Sequence, residues 1–344
     1  MKIISNSPLT RVLAGVFIAF LFTGLLREVR GASSAPDFSC DARNSGEVNI
    51  EIYKGQTGSS IAAVLATKKV VKSAESFFRE AVSNPQSSRI SPGTHRVNLG
   101  LCASEALEQL LDPKRTVGLI SIVEGMWVSE VIPQMIRAGF SNADIQSALK
   151  TVKKPVGFTQ IEGLLFPAQY SFAKGTTAKS AIESMVNRAE ETMVEVGFFA
   201  SGQKFTPQQL LVIASLIQAE GKLQDFGQIS QVIRNRLKIG MPLQFDSTVH
   251  YVKKSRGNIV LSTQSTLISS TYNTYRRYGL PPGPINNPGE AAMRAAIAPQ
   301  AGDWLYFITV APSDTRFTSD IDQFSKWKIE YKKNLRAGKF RSSK

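Results

Sequence analysis

The sequence predicts an α+β fold, in which an apolar N-terminal segment precedes a small module and a larger mixed α/β domain. Helical and strand-like patterns follow one another without the regular strand–helix alternation of a parallel sheet. Apolar residues make up 42% of the 344 residues and charged residues 20%, which is the composition of a globular protein. A chain of this length holds one large domain or two ordinary ones.

The first element is an uncharged apolar run at 12–26, flanked by Arg11 and Arg27. A helix of that length spans about 22 Å, and snorkelling arginines extend it towards the hydrocarbon thickness of about 30 Å. A cleaved signal peptide is the alternative, with the small residues at 31–35 as its processing site. The charges that follow the run at once favour a retained anchor. In both cases the bulk of the chain is exported.

These features divide the N-terminal part into a cytoplasmic tail (1–11), a transmembrane helix (12–26) and a linker (27–47). The linker is indicated by its small and polar residues and by its Gly and Pro. We therefore expect a single-pass cell-membrane protein with its N-terminus in the cytoplasm and the bulk of the chain outside the cytoplasm.

The chain has two cysteines, Cys40 and Cys102. In an exported protein they either form a disulfide or remain unpaired thiols. Sequence alone does not show whether the two side chains approach each other, so both alternatives stay open.

A strand, two short helices and a returning strand are predicted within residues 48–112. "VNIEIYKG" alternates like a strand, "TGSSIAAVLATKKVV" and "SAESFFREAVS" are helical, and "SSRISPGTHRVNLG" supplies a turn and a strand. A further helix is stopped by Pro113. A segment of this size is typical of a small independent module.

The remaining residues, 113–344, are predicted to form the larger domain. "VGLISIVEGM" has the continuous apolar character of a strand buried on both faces. The next segment is helical with an interruption at Pro133, and a long helix follows at 176–199. Near the C-terminus "DWLYFITVA" and "DTRFTSD" are predicted to pair as a hairpin before a basic amphipathic helix.

The formal net charge is +14, from 41 Lys and Arg against 27 Asp and Glu. This balance favours nucleic acid, an anionic membrane face or an anionic wall polymer as partner, unless the basic surface is simply solvated. No nucleic-acid-binding motif is present, so we expect no nucleic-acid partner. The two histidines, His95 and His250, have no second ligand at metal-binding spacing, so we expect no metal and no other cofactor.

Glu220 is the first candidate for chemistry, because it lies near the end of the apolar segment "QQLLVIASLIQAEGK" at 208–222. In a helix it shares a face with Ile213, Leu216 and Ile217, and it lies at the negative end of the helix dipole. Both surroundings raise the pKa of a carboxyl group, and an acid that stays protonated near neutral pH suits general acid catalysis. The alternative is an ordinary ion pair with a nearby cation: Lys222, Arg234 or Arg236.

Two neighbouring segments supply side chains suited to binding a sugar. After the helix that Gly240 ends, we predict an extended polar stretch that presents hydroxyl, amide and carboxyl groups. The segment "TYNTYRRYGLPPGPINNPG" offers aromatic faces and amide hydrogen bonds, which are common in carbohydrate grooves. The alternatives are a solvated strand face and an aromatic-rich loop without a ligand. The candidate contacts are Asn235, Gln244, Asp246, Ser247, Thr248, Tyr272, Asn273, Thr274 and Tyr275.

Together these segments resemble the membrane-anchored endolytic murein transglycosylases, the YceG-like or MltG family. The resemblance runs from about residue 48 to 330, and its most specific parts are "NRLKIGMPLQ" and "YNTYRRYGLPPGPINNPG". It implies that 48–112 is a LysM-like module that binds glycan and that 113–344 is a YceG-like catalytic domain. Other segments that carry the resemblance are "VEGM" (123–126), "IEGLLFPAQY" (161–170), "ASLIQAEG" (214–221) and "WLYFITV" (304–310).

The resemblance implies that Glu220 is the catalytic acid and base of a lyase reaction within peptidoglycan strands. The acid protonates the oxygen between N-acetylmuramic acid and N-acetylglucosamine, and the muramic C6 hydroxyl closes on C1 to give a 1,6-anhydro end. No water is activated, so no second carboxylate is needed to activate one. Glu162 is a further candidate contact, and either Glu162 or Asp246 is expected to stabilise the oxocarbenium-like state.

The resemblance also implies partners and a role. Peptidoglycan glycan strands are the implied substrate, peptidoglycan synthases and division proteins are implied partners, and the membrane is contacted through the N-terminal helix. Cleavage within nascent strands implies that the protein terminates glycan elongation.

The chain departs from the family's usual pattern at several positions. Gln218 stands where the family often has a second Glu, Ala168 stands where an acid usually follows "FP", and the C-terminal hairpin lacks the family's His. Two other functions therefore stay open: a hydrolytic muramidase acting in the same groove, and a catalytically inactive cell-wall-binding or division-scaffold protein. The presence of Glu220 argues against the inactive protein.

Overall fold

A computed structural model describes residues 35–40, 46–53, 55–172, 175–256 and 262–340. The predicted cytoplasmic tail and transmembrane helix lie outside these residues. Among the residues that are described, no helix is long and apolar enough to cross a membrane. The chain forms two compact units, one ending at Val117 and one beginning at Gly118. Both mix helices with strands, as the sequence predicts.

The first unit combines a small antiparallel sheet with helices. Its elements are β1 (Glu47–Ile52), α1 (Gly58–Thr67), α2 (Ala74–Ser83), β2 (Gly93–Asn98), α3 (Ala103–Leu111) and β3 (Thr116–Val117). The strands pair in the order β1–β2–β3. Thr57 and Ser73 begin α1 and α2, because each side chain accepts a hydrogen bond from a backbone amide of the first turn. The order of strand, two helices, strand and helix is the predicted one.

The first unit has its own hydrophobic core and is closed by a disulfide. Side chains from β1, α1, α2 and α3 meet in this core, among them Ile50, Leu65 and Phe77, all fully buried. Cys40 and Cys102 are disulfide-bonded with their Cα atoms 5.0 Å apart. Of the two alternatives for the cysteines, the structure therefore shows the bridge.

The residues before Cys40 are also held against the first unit. Asp37 Oδ2 accepts a hydrogen bond of 3.1 Å from the Ala103 amide, at the start of α3. The Ser73 hydroxyl donates one of 2.8 Å to the Pro36 carbonyl. Residues 36 and 37 of the predicted linker are thus hydrogen-bonded to the module that follows it.

The second unit is mainly helical, with short strands at its edges. Its elements are β4 (Ile120–Ser121), α4 (Val128–Arg137), α5 (Asn142–Thr151), β5 (Gln169–Tyr170), α6 (Ala178–Val196), α7 (Pro207–Glu220), α8 (Phe226–Lys238), α9 (Asp246–Lys253), α10 (Glu290–Ile297), β6 (Tyr306–Ala311), β7 (Asp314–Thr318) and α11 (Ile321–Arg336). β4 pairs with β5, and β6 pairs with β7, both antiparallel. The predicted C-terminal hairpin is confirmed, and the basic helix α11 packs against β6.

Two predicted elements before α6 differ from the structure. The apolar segment at 117–126 was expected to be one strand, but it is divided: Val117 ends β3, and Ile120–Ser121 forms the separate strand β4. The division arises because Gly118 and Gly125 turn the chain with φ of 71° and 78°. The expected helix break at Pro133 is also wrong. Pro133 lies inside α4, and the break comes later, where Gly139 has φ of 99° and Ser141 caps α5.

The polar stretch expected to be extended is instead the start of helix α9. Asp246 is its first residue, and Ser247 and Thr248 lie in its first turn. The turn closes because the Thr248 amide and hydroxyl both donate to the Phe245 carbonyl, at 3.2 and 2.7 Å. A short polar run has no periodicity that separates a strand from a helical turn, so only these contacts decide it.

Helix α7 is the central helix of the second unit, and its ends agree with the prediction. Thr206 accepts a hydrogen bond from the Gln209 amide, and Gln209 accepts one from the Thr206 amide, which completes a capping box ahead of Pro207. Residues 210–217 are all buried. Gly221 follows the helix at a close approach, because a Cβ at that position would lie 2.1 Å from Ile229 Cδ1.

The proline-rich segment at 281–289 runs along α7. The Gln208 side chain reaches the Pro282 carbonyl at 3.4 Å, the Ile285 amide donates to the Ser215 hydroxyl at 3.1 Å, and the Gly289 amide donates to Gln218 Oε1 at 3.0 Å. Residues 283–289 are buried. This segment is therefore hydrogen-bonded to α7 from its first turn to Gln218, two residues before Glu220.

Candidate active site

Glu220 occupies the junction of two helix ends. It is the last residue of α7, where unpaired carbonyls disfavour a negative charge. Its Oε1 faces the first turn of α9, where it accepts hydrogen bonds from the Ser247 hydroxyl and, at 3.4 Å, from the Ser247 amide. Ser247 therefore orients the carboxyl group and donates to it in its ionised form.

Burial raises the pKa of Glu220 to about 7, and this is the dominant influence on it. The hydrogen bonds from Ser247 act in the opposite direction, because they favour the ionised carboxylate. The negative charge of Asp246 raises the pKa, and the positive charge of Arg236 lowers it. A group with this pKa is present in both protonation states near neutral pH, as an acid that later becomes a base requires.

Arg236 is a buried cation near Glu220. The sequence predicts it only as one of three possible ion-pair partners of that acid. Its guanidinium group donates to the carbonyls of Leu305, at 2.7 Å, and Leu243. It also lies 5.8 Å from the ring centre of Tyr306. These contacts join α8, the segment before α9 and the C-terminal hairpin. The predicted alternative of a direct ion pair with Glu220 is not present among the described residues, where Arg236 bonds to backbone carbonyls instead.

Asp246 and Tyr275 form a hydrogen-bonded pair beside Glu220. The Tyr275 hydroxyl donates to Asp246 Oδ1. Burial and this bond raise the pKa of Tyr275, so the phenol keeps its proton at neutral pH. The structure thus brings together Glu220, Ser247, Asp246 and Tyr275, all of which the sequence analysis proposed.

A second partly buried acid, Glu162, contacts α9 at Tyr251, one turn beyond Ser247. Its carboxylate accepts a hydrogen bond of 3.0 Å from the backbone amide of Val128, at the start of α4, and one of 3.2 Å from the Tyr251 hydroxyl. Burial raises the pKa of Glu162 to about 7, against the effect of these bonds. Tyr272 joins the same cluster, with its ring centre 5.2 Å from that of Tyr251 and its hydroxyl 2.8 Å from Gln160 Oε1. Tyr251 was missed in the sequence, where it looks like any helical tyrosine.

A cavity of about 380 Å³ opens beside Glu220. Two of its wall residues adjoin the acid: Ala219 precedes it in α7, and Ser247 donates to it. A volume of this size suits a ligand of a few hundred cubic ångströms, such as one sugar. Other wall residues are Glu124, Trp127, Gln218, His250, Arg256 and Asn286.

Glu124 is a wall residue that the sequence analysis did not single out, although it belongs to the quoted segment "VEGM". Its carboxylate lies against Gly289, where a Cβ would come within 1.9 Å of Glu124 Oε1. Asn287 fixes the turn that carries Glu124. Its backbone carbonyl accepts a hydrogen bond of 2.8 Å from the Gly125 amide, and its side-chain amide donates one of 2.8 Å to the Met126 carbonyl. Gly289 is the sequence signal that another group approaches the backbone there, but the sequence does not show that this group is Glu124.

Four of the residues expected to contact a sugar have side chains that are hydrogen-bonded to other groups of the protein. Thr248 and Thr274 are buried and share a hydrogen bond of 3.0 Å, and the Asn273 amide donates to the Thr266 carbonyl at 2.9 Å. Asn235 donates to the carbonyl of Trp304 at 2.9 Å. These side chains hold the loops in place, and their contact with a sugar stays a prediction. Gln244 is exposed, and its backbone amide donates a hydrogen bond of 3.1 Å to the Thr274 carbonyl.

No group of His, Cys, Asp and Glu side chains in the described parts of the chain is arranged to hold a metal ion. His95 and His250 lie in different units. The groups that converge here are carboxyl, hydroxyl and guanidinium groups. They are suited to proton transfer to and from a ligand in the adjoining cavity.

Comparisons with known proteins show the family to which the chain is similar. The chain matches the family model described as the YceG-like family over residues 50–330. The endolytic murein transglycosylase of Bacillus subtilis (strain 168) is 29% identical over 306 residues, covering 83% of this chain and 84% of that protein. That of Streptococcus pneumoniae serotype 2 (strain D39) is 36% identical over 154 residues, covering 43% of this chain and 28% of that protein.

A crystal structure of a YceG-like protein from Listeria monocytogenes has a similar fold. It covers 81% of this chain and 98% of its own, with a TM-score of 0.55 and 26% sequence identity. The family model spans the described elements of both compact units from β1 to the middle of α11. This chain therefore belongs to the YceG-like family.

Proposed function

We propose that the chain is a peptidoglycan lytic transglycosylase, a lyase that cleaves within glycan strands. The observation that carries the proposal is Glu220, a partly buried acid with a pKa raised to about 7 beside a sugar-sized cavity. Membership of the YceG-like family supports it, as do the relatives whose names describe endolytic murein transglycosylases.

In the proposed reaction, Glu220 acts first as an acid and then as a base. Its proton passes to the oxygen that joins muramic C1 to N-acetylglucosamine, and the C1–O bond breaks. The muramic C6 oxygen forms the new bond to C1, and its proton passes to the Glu220 carboxylate. The products are a 1,6-anhydro-muramic end and a free N-acetylglucosamine hydroxyl, and no water is consumed.

The neighbours of Glu220 fit these steps. Ser247 donates to Glu220 in its ionised state, after the first proton transfer. Asp246, which accepts a hydrogen bond from Tyr275, adds a negative charge that favours the protonated form of Glu220 before that transfer. We assign sugar binding to Gln244, Asp246, Ser247, Tyr272 and Tyr275, and stabilisation of the oxocarbenium-like state to Glu162. Glu124 on the cavity wall is a further proposed contact.

We further propose that residues 12–26 anchor the chain in the cell membrane, with both compact units outside the cytoplasm. The Cys40–Cys102 disulfide supports this location, because disulfides persist in oxidising compartments. Cleavage of nascent strands near the membrane would terminate glycan elongation. Synthases and division proteins are the partners proposed on the same ground.

For the first unit we propose a LysM-like role in binding glycan. A groove of about 410 Å³ lies between α1, α2 and the turn at Pro85–Arg89. Its walls combine Phe78, which is 44% exposed, and Val82, which is 71% exposed, with the hydroxyl-bearing Ser88. Exposed apolar faces beside hydroxyl groups suit the alternating faces of a sugar chain.

The products of digestion test the reaction. The full chain is incubated with un-crosslinked glycan strands, and the fragment ends are identified by mass spectrometry. We expect 1,6-anhydro ends on internal fragments. Reducing ends instead would identify a hydrolytic muramidase, and intact strands with bound protein would identify a wall-binding protein.

The rate should depend on pH through Glu220. Since the pKa is raised to about 7, the protonated form is dominant below that value and is lost above it. We expect kcat/KM to fall about tenfold for each pH unit above the pKa. The measurement is kcat/KM against pH for the wild type and for Ser247→Ala. Removing the Ser247 donor should move the decline to higher pH, and a decline at the same pH in both proteins would contradict the assignment.

A further inference from the structure

A second cavity of the second unit lies at the other end of α7 from Glu220. It has a volume of about 510 Å³ and includes Gln208 and Gln209, in the first turn of α7. The helix rises about 18 Å between Gln208 and Glu220. We call this cavity the basic pocket and define it by Lys204, Phe205, Arg234, Lys238, Leu280 and Pro281.

The basic pocket carries positive charge without a compensating acid. Its walls include Lys204, Arg234 and Lys238, and no Asp or Glu is among the lining residues. None of the three cations forms an ion pair with a carboxylate in the described parts of the chain. Lys204 and Lys238 are exposed, whereas Arg234 is half-buried.

Arg234 is held in place and keeps unused donors. Its Nη2 donates to the Ala296 carbonyl at 2.5 Å, and its guanidinium carbon lies 5.0 Å from the Phe205 ring centre. Its Nε is buried and has no acceptor among the described residues. Burial also lowers the pKa of Arg234, which shows that its surroundings disfavour the charge. A fixed, partly desolvated guanidinium group without an anion is a site for a carboxylate or a phosphate.

The remaining walls are apolar. Phe205, Leu280 and Pro281 surround the cations, so the pocket suits an anion that is joined to small apolar groups. The free end of the stem peptide of a peptidoglycan strand has this chemistry, because it carries a terminal carboxylate beside alanine methyl groups. An extended peptide of five residues reaches about 17 Å, which is close to the rise of α7 from the pocket to Glu220.

We propose that the basic pocket binds the stem peptide of the glycan strand through a peptide carboxylate, while Glu220 acts on the sugar chain. The inference rests on the proposed function, since it requires a peptidoglycan substrate. It gives the enzyme a preference for strands that still carry their peptides. The peptide contact lies away from the reacting bond, so its loss should affect KM rather than kcat.

The test compares strands that carry stem peptides with strands stripped of them by an amidase. The full chain is assayed as wild type, as Lys204→Glu/Lys238→Glu, and as the matched control Lys153→Glu/Lys326→Glu. All four lysines are exposed, and none of them bonds to Glu220, whose donor is Ser247. We expect the wild type and the control to have about tenfold higher kcat/KM on peptide-bearing strands, the effect of one charge-assisted contact. The pocket variant should cut both strands equally, through a rise in KM.

A binding measurement keeps this result separate from the reaction. Saturation-transfer NMR with N-acetyl-D-alanyl-D-alanine should give a signal with the wild type and none with Lys204→Glu/Lys238→Glu. The corresponding C-terminal amide, which lacks the carboxylate, should give none with either protein. Equal kcat/KM on both strands in the wild type, or full competition by an equal concentration of inorganic phosphate, would overturn the proposal. Strands without anhydro ends would overturn the transglycosylase instead, and the NMR signal would still report on the pocket.

Discussion

Glu220→Gln should fold, bind glycan and fail to cleave it. Glutamine keeps the shape of the side chain and can still accept the hydrogen bonds from Ser247, but it neither gives nor takes a proton at the glycosidic oxygen. General acid–base catalysis contributes about 10²–10⁴-fold in rate. Since one group performs both proton transfers in the proposed reaction, we expect a loss at the upper end of that range.

The measurement is the yield of anhydro ends from un-crosslinked strands, with two matched variants beside Glu220→Gln. Glu191→Gln makes the same chemical change at an exposed position of α6 and should retain full activity. Glu162→Gln removes the other acid whose pKa is raised to about 7 and should lower the rate less, because it leaves the proton donor in place. Cleavage by Glu220→Gln with inactive Glu162→Gln would transfer the catalytic role to Glu162.

The stability of Glu220→Gln separates a catalytic loss from misfolding. A folded-state pKa above the unfolded value means that the folded protein binds the proton more tightly, so ionising Glu220 lowers the free energy of unfolding as pH rises towards about 7. The glutamine variant lacks this decline. Its melting temperature at pH 8 should therefore equal or exceed that of the wild type.

Cys40→Ser should destabilise the first unit without altering the chemistry of the second. The bridge spans a sequence separation of 62 residues, and removing a link over a loop of that size costs about 2–4 kcal/mol of unfolding free energy. Cys102 is 2% exposed and remains as a small buried residue in the variant. Glu220 and its partners belong to the other unit, so cleavage of soluble strands should be retained.

Calorimetric unfolding of the full chain checks this expectation. We expect one transition to move to lower temperature in Cys40→Ser, and treatment of the wild type with a reductant should reproduce the shift. The hydrogen bonds of Asp37 and Ser73 to neighbouring segments remain in both proteins, so they do not account for a difference. An unchanged transition, or loss of cleavage at equal folding, would contradict the separation of roles.

Elements whose signals are local can be predicted from the amino-acid sequence. The capping box at Thr206 and Gln209, the apolar period of α7 and the glycine after it all lie within a few turns of one helix, and they place Glu220 at its end. The strand, two helices and strand of the first unit are also encoded by local periodicity and by the caps at Thr57 and Ser73. For the same reason Glu220 could be proposed as an acid with a raised pKa.

The contacts between groups that are distant in the sequence become visible in the folded chain alone. Glu162 and Tyr251 are 89 residues apart, and Leu165 and Asn287, which fix the loops of the cavity, are 122 apart. Neither the disulfide nor the inward direction of Arg236 has a local signal. The helical start of α9 was also mistaken for an extended stretch, although it is this turn that directs Ser247 at Glu220. Such contacts depend on how separate segments pack, and periodicity and capping carry no information about that.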